Sequence, residues 1–158
     1  MDFQLKVEET TDTKACIDFI KEQGYADYSD SKENYKGIVV VAGETIIACA
    51  LLKKYGIQGS KYHRYFEPSF IELAVSQRLT TSCIQKVQID FLCVHPSFKQ
   101  RGYGSMIMNY IKNKYVGYVI SLIVMMDNNK VINFYKKFGA TVDAVDKNFE
   151  FFYLSIKN

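Results

Sequence analysis

Between an apolar run from Ile89 to Val94 and a second one from Met106 to Ile111 lies the segment Phe98-Lys99-Gln100-Arg101-Gly102-Tyr103-Gly104-Ser105. Two glycines and two cations at the start of a helix make a place for an anion. The first N–H groups of a helix have no partner in the helix, the dipole adds positive charge there, and glycine lets a ligand approach the backbone. The same residues would also serve as a plain turn with surface cations. Two common phosphate loops do not fit: GxxxxGK[ST] is absent, and GxGxxG fails because Ile107 stands where its third glycine belongs. Upstream, Asp90 interrupts an apolar run. A carboxylate there costs several kcal/mol if buried without a partner, so it implies either a partner or a use.

The elements that must carry these residues follow from periodicity. Phe3, Leu5 and Val7 alternate with polar residues as in a half-buried strand, and Thr11-Asp12-Thr13 offers a cap for a helix bearing Ala15, Cys16, Phe19 and Ile20. Gly24 ends that helix, and Tyr25 to Lys36 reads as a short helix or a loop. Ile38 to Val41 and Thr45 to Leu52 flank Gly43-Glu44, the mark of a tight hairpin. Residues 55–84 form a long excursion with aromatics at Tyr62, Tyr65, Phe66 and Phe70, and long loops in compact domains are often functional.

The pattern then clears. Val87 to Val94 predicts a strand ended by His95-Pro96, and about Gly102 to Tyr115 a helix. Tyr118 to Val124 predicts a strand buried on both faces, and Asn128 to Phe138 a helix stopped by Gly139. Ala140 to Val145 and Phe149 to Ile156 predict a closing strand pair. This order gives an α/β fold with a mixed central sheet, helices on both faces, and a single domain over residues 1–158.

Composition agrees with a globular protein: 158 residues, 48% hydrophobic, 23% charged, with a net charge of +3 that demands neither nucleic acid nor an anionic membrane. Cys16, Cys49, Cys83 and Cys93 show no CxxC spacing and read as free thiols in a reducing compartment. No apolar stretch reaches the ~18 residues of a membrane helix, and Met1-Asp2-Phe3 opens without a basic leader. A cytoplasmic location is expected, with the nucleus as the alternative, no membrane partner and no resident metal.

Taken together, the motifs resemble the GCN5-related N-acetyltransferase (GNAT) superfamily. Lys99-Gln100-Arg101-Gly102-Tyr103-Gly104 fills the frame Q/R-x-x-G-x-G/A, and Leu92-Cys93-Val94-His95-Pro96-Ser97-Phe98 matches its L-x-V-x-P-x-Y/F lead-in. Downstream, Asn128, Val131, Ile132, Tyr135 and Gly139 meet N-x-x-A-I-x-x-Y-x-x-x-G-F. Two departures stand out. Lys99 keeps a cation but loses planar bidentate donors, shifting phosphate grip toward Arg101 and the backbone, and Ala140 replaces a packing Phe.

The resemblance implies an acetyl-CoA-dependent N-acetyltransferase that passes the acetyl group directly to a primary amine on a polyamine-like molecule, a protein lysine or a protein N-terminus. It implies acetyl-CoA as co-substrate, with pantetheine along the backbone of Leu92, Cys93 and Val94 and pyrophosphate on the N–H groups of Gln100 to Ser105, beside Lys99. It also implies Asn128 on a pantetheine amide, Tyr135 as the acid that protonates the leaving thiolate, and the Leu92 N–H facing the oxyanion. For the base, strand alternation sets Gln88, Asp90, Leu92 and Val94 on one face. Gln88 cannot take a proton, which leaves Asp90, with Glu72 or a water chain as alternatives. Glu67 and Glu72, among the aromatics of the excursion, are the expected amine-binding carboxylates. An acyl-cysteine route through Cys93 is disfavoured because alternation turns its side chain away from Asp90.

Two other functional classes compete. An acyl-CoA-binding module without transfer activity would keep the glycine corner and need neither Asp90 nor Tyr135. Nucleic-acid binding through Lys53, Lys54, Lys61, His63 and Arg64 among tyrosines is weakened by Glu67 and Glu72. A monomer or a homodimer is expected.

Overall fold

The computed structural model describes residues 5–24, 35–56, 85–146, 148 and 150–158, the side chains of 54–56 excepted. Its strands form one mixed seven-stranded sheet in the order β1-β2-β3-β4-β5-β7-β6. They are β1 (Leu5–Thr10), β2 (Tyr35–Ala42), β3 (Thr45–Gly56), β4 (Gln85–Val94), β5 (Val119–Met125), β6 (Thr141–Val145) and β7 (Phe151–Lys157). The helices are α1 (Thr13–Glu22), α2 (Tyr103–Lys114) and α3 (Asn129–Lys136). The chain divides into two compact units, residues 1–53 with 89–114 and residues 54–88 with 115–158.

In the first unit, Asp12 caps α1 by accepting the Ala15 N–H at 3.1 Å. The helix buries Cys16, Phe19 and Ile20 against Val39, Cys49, Leu51 and Cys93, with Tyr35 and Phe91 packed at the edge. Gly37 permits the close approach: a Cβ there would lie 2.5 Å from the Cys16 Sγ and 2.8 Å from the Thr10 Cγ2. β1 and β2 run antiparallel from Leu5↔Ala42 to Thr10↔Gly37. The β2–β3 hairpin turns at Gly43-Glu44 with Ala42 opposite Thr45, as the sequence predicts. Lys114, in the last turn of α2, is ion-paired with Glu9 of β1.

Both hairpin strands outrun their apolar cores. β2 begins at Tyr35 rather than Ile38, and β3 continues past Leu52 through Lys53, because backbone pairing extends as far as Tyr35↔Lys53. Hydropathy alone does not mark polar residues that continue a ladder. Most of the segment 25–36 and residues 57–84 lie outside the described residues, so the predicted short helix or loop and the long excursion do as well.

In the second unit β7 pairs antiparallel with β5 on one side and β6 on the other. Asp146 closes the β6–β7 connection by accepting the N–H groups of Asn148, Glu150 and Phe151 at 3.3, 2.6 and 2.8 Å. These bonds, the Phe151 N–H foremost, hold its carboxyl below the usual range. β5 departs from expectation. Ile120, Leu122 and Val124 are buried, but Ile123 and Met125 are 40% and 53% exposed, so one face of its C-terminal half is open.

Candidate active site

The glycine corner is shaped by backbone before any side chain acts. β4 stops at Val94, the His95 N–H donates to the Ile47 carbonyl at 2.8 Å, and Pro96–Phe98 forms one 3₁₀ turn. The His95 Nδ1 accepts the Ser97 N–H at 3.1 Å, which fixes the turn. Gln100 and Gly102 then take left-handed conformations, with φ of 64° and 85°. Left-handed residues between right-handed or extended ones curl successive N–H groups toward one concave side, the geometry of an anion nest. Gly102 ends the curl at the helix start: its carbonyl accepts the Met106 N–H at 3.0 Å. The N–H groups of Tyr103, Gly104 and Ser105 therefore occupy the first turn of α2, where the helix itself offers them no acceptor. Gly102 brings no side chain to cap them.

Charge and aromatic packing complete the corner. The first turn of α2 carries no acidic residue. The Arg101 guanidinium lies 5.5 Å from the centroid of the Phe98 ring, and Phe98 packs edge-on against both His95 and Tyr103. That platform gives Arg101 a fixed base beside the loop, while Lys99 sits in extended backbone just before Gln100. The corner so built suits a pyrophosphate.

Leu92, Cys93 and Val94 form the end of β4, with Cys93 buried and its neighbours half-buried. Burial pushes the Cys93 thiol up to about 12, the nearby Cys16 adds to the shift, and Lys99 only partly opposes it. A thiol this reluctant to ionise is a poor nucleophile at neutral pH, which argues against the acyl-cysteine route. Cys16 and Cys49 are buried beside it and hydrogen-bonded to each other, and that bond, together with burial, pushes the Cys49 thiol up. Cys83 lies outside the described residues.

Asp90 is half-buried on β4 and accepts a hydrogen bond from the Tyr35 hydroxyl. Strict alternation separates Asp90 from Phe91 and Cys93, yet the phenol of a tyrosine packed on their cluster reaches its carboxylate. The sequence offered no sign of this partner, since 55 positions separate the two residues. Glu67 and Glu72, the expected amine-binding carboxylates, lie outside the described residues.

In the second unit, Asn128 is the N-cap of α3 rather than a member of its first turn, and its Oδ1 accepts the Val131 N–H at 3.4 Å. Its oxygen is thus used locally, which leaves the Nδ2 amide as the group suited to a ligand carbonyl. Tyr135 is 6% exposed, buried together with Ile132 on one face of α3, with the Phe134 ring edge-on at 5.2 Å. Its carbonyl accepts the N–H groups of Phe138 and Ala140 at 3.0 and 3.2 Å, so the helix ends against the residue that carries the phenol.

Sequence reading missed one further group. Lys86 is 1% exposed on β4, and burial lowers its pKa from 10.5 to about 6, with Asp143 pulling weakly the other way. Its position just before the expected strand start hid it. Among the described residues no cluster of His, Cys, Asp and Glu could hold a metal ion, and no helix is long and apolar enough to cross a membrane.

Comparison with known proteins joins these features. Arabidopsis thaliana NAA60, in complex with acetyl-CoA, superposes with a TM-score of 0.70 at 12% identity, covering 98% of this chain and 100% of that one. Arabidopsis thaliana Naa50, in complex with the bisubstrate analogue CoA-Ac-MVNAL, gives 0.62 at 15% identity, over 96% and 97%. An aminoglycoside acetyltransferase from an uncultured soil metagenomic sample, in complex with sisomicin, gives 0.56 at 12% identity, over 84% and 86%. Such identities carry the fold alone. No curated protein sequence matches the chain. The sequence model of the acetyltransferase (GNAT) family matches residues 5–140, from β1 through α3 and including both the glycine corner and Tyr135, so the chain belongs to the GNAT acetyltransferase family.

Proposed function

We propose that the protein transfers the acetyl group of acetyl-CoA directly to a primary amine, with a peptide N-terminus or lysine, or a small polyamine-like molecule, as acceptor. The left-handed pair Gln100 and Gly102 opening onto α2 carries the reading, because that backbone is costly unless it serves a ligand. Gln100, a residue with a Cβ, holds a φ of 64° that glycine would adopt more cheaply.

In this account the N–H groups of Gln100 to Ser105, with Arg101 and Lys99, hold the pyrophosphate, and the backbone of Leu92 to Val94 holds the pantetheine. The Asn128 amide steadies a pantetheine carbonyl. The acceptor enters as an ammonium and loses a proton to the Asp90 carboxylate. The free amine attacks the thioester carbonyl, and the Leu92 N–H stabilises the oxyanion that forms. The C–S bond then breaks as Tyr135 donates its proton to the departing thiolate, and the second proton leaves the attacking nitrogen and restores the phenol, which gives a neutral amide. Direct transfer needs no covalent enzyme intermediate, in keeping with the raised Cys93 thiol.

The acceptor class rests on the relatives. One fold neighbour is bound to a CoA analogue carrying the peptide Met-Val-Asn-Ala-Leu, and another is an aminoglycoside acetyltransferase. A peptide and an aminoglycoside both carry primary amines, which is the acceptor chemistry proposed here.

Replacing Tyr135 by Phe keeps the packing of α3 and removes only the acid. Turnover should fall ~10- to 1000-fold with the acetyl-CoA affinity little changed, the range expected for loss of a general acid. Steady-state kinetics with thermal unfolding decide the matter. A large drop in melting temperature with near-normal turnover would make Tyr135 a packing residue.

A further inference from the structure

The geometry points to Tyr35 as the positioning residue of Asp90, with Lys53 holding the tyrosine in place. This inference rests on Asp90 being the general base of the proposed reaction, and it assigns a role to two residues at the start of the β2–β3 ladder.

Three observations converge on Tyr35. Its hydroxyl donates to the Asp90 Oδ2. Its backbone pairs with Lys53 in β3, whose ammonium lies over the ring at 5.2 Å from the centroid. Its side chain packs against the cluster made by α1, Val39, Cys49, Leu51 and Cys93. The sheet order β2-β3-β4 means that the phenol crosses over β3 to reach Asp90, a span only a long side chain covers at a strand spacing of ~4.8 Å.

The arrangement suits a base. An aspartate side chain turns about two bonds, and a base that turns away from the amine loses most of its advantage, since small misplacements of catalytic groups are costly. A donor on a ring clamped between a cation and a packed cluster favours one orientation of the carboxylate. The direction of the bond also matters. The phenol is the donor, so the carboxylate remains the acceptor and takes the proton that leaves the ammonium, while Tyr35 keeps its own. Lys53 over the ring face draws electron density from the phenol and strengthens it as a donor. Both residues lie in the same compact unit as Asp90, so the positioning needs nothing from elsewhere in the chain.

The Tyr35→Phe variant isolates the hydroxyl, because the ring keeps its packing under Lys53. Thiol release from acetyl-CoA is measured with Met-Val-Asn-Ala-Leu, with spermidine and with water as sole acceptor, in the unaltered protein, Tyr35→Phe, Asp90→Asn and the double variant, each checked by thermal unfolding. Thiol release with water as sole acceptor gives the background rate. Tyr35→Phe should lower kcat ~10-fold with KM for acetyl-CoA unchanged, and should have no further effect once Asp90 is Asn. An equal loss in both backgrounds would mean that the phenol acts independently of Asp90, which overturns the inference. Full turnover in Tyr35→Phe beside a slow Asp90→Asn overturns it as well, while leaving Asp90 as the base. Full turnover in Asp90→Asn removes the base assignment itself, and the role of Tyr35 with it.

Discussion

Gly102→Glu is expected to weaken acetyl-CoA binding ~1000-fold or more while the protein remains folded. The position tolerates a side chain sterically, since a Cβ there meets nothing within 4 Å. It does not tolerate one conformationally without cost, because φ is 85° and an L-residue there is strained by about 1–2 kcal/mol. The larger effect is charge. A carboxylate near 4 Å from a phosphate oxygen at an effective dielectric of about 20 adds ~4 kcal/mol of repulsion, enough for roughly three decades of affinity. Gly102→Ala separates the two causes, since it carries the strain without the charge and should lose little affinity. Calorimetric titration of both variants with acetyl-CoA checks this. If folded Gly102→Glu binds as well as Gly102→Ala, the corner does not hold the pyrophosphate.

Lys86→Met is expected to remove a pH dependence of stability that approaches about 1.4 kcal/mol per pH unit between about pH 6 and 9. In the native state this lysine holds a proton only below about 6, whereas its usual value is 10.5. Between those limits the unfolded chain binds the proton and the folded chain does not, so stability rises with pH. The slope approaches about 1.4 kcal/mol per pH unit for one proton. Below about 6 both states are protonated, above 10.5 neither is, and this contribution to the slope disappears. Met keeps the length and flexibility of the lysine stem without the titrating group. Denaturant unfolding from pH 6 to 9 should show a rising midpoint for the natural protein and a flatter one for Lys86→Met. An equal slope in the two proteins would show that the lysine is charged in the fold.

The sequence made some elements plain and hid others for physical reasons. The glycine corner alone read equally as a plain turn with surface cations; it became legible through Leu92 to Phe98 before it and Asn128, Tyr135 and Gly139 after it, and the structure gives that stretch its left-handed turns. The α1 face and the β2–β3 turn were legible because Cys16, Phe19, Ile20 and the pair Gly43-Glu44 follow a helical period and a turn signature. Tyr35 was not legible. It sits in a polar stretch without periodicity, and what makes it a strand residue is its ladder partner Lys53, which only the folded sheet supplies. Asp90 stood out as a carboxylate in need of a partner, yet contact across an intervening strand leaves no spacing in the sequence. Ile123 was read as buried because apolar strands usually are, but hydropathy reports what a residue can bury, and its exposure is set by what covers it. Lys86 shows the converse, a charged residue taken inside by its place in a strand.

Thiol release from acetyl-CoA against a panel of peptide N-termini, lysine peptides, polyamines and aminoglycosides, with the acetylated product identified by mass, tests acetyl transfer to an amine most directly. At least one primary amine should raise thiol release well above the rate with water, with one acetyl group on its nitrogen for each thiol released and no acetyl group left on Cys93. Tight acetyl-CoA binding with no amine in the panel raising the rate would contradict the account and leave an acyl-CoA-binding module in its place.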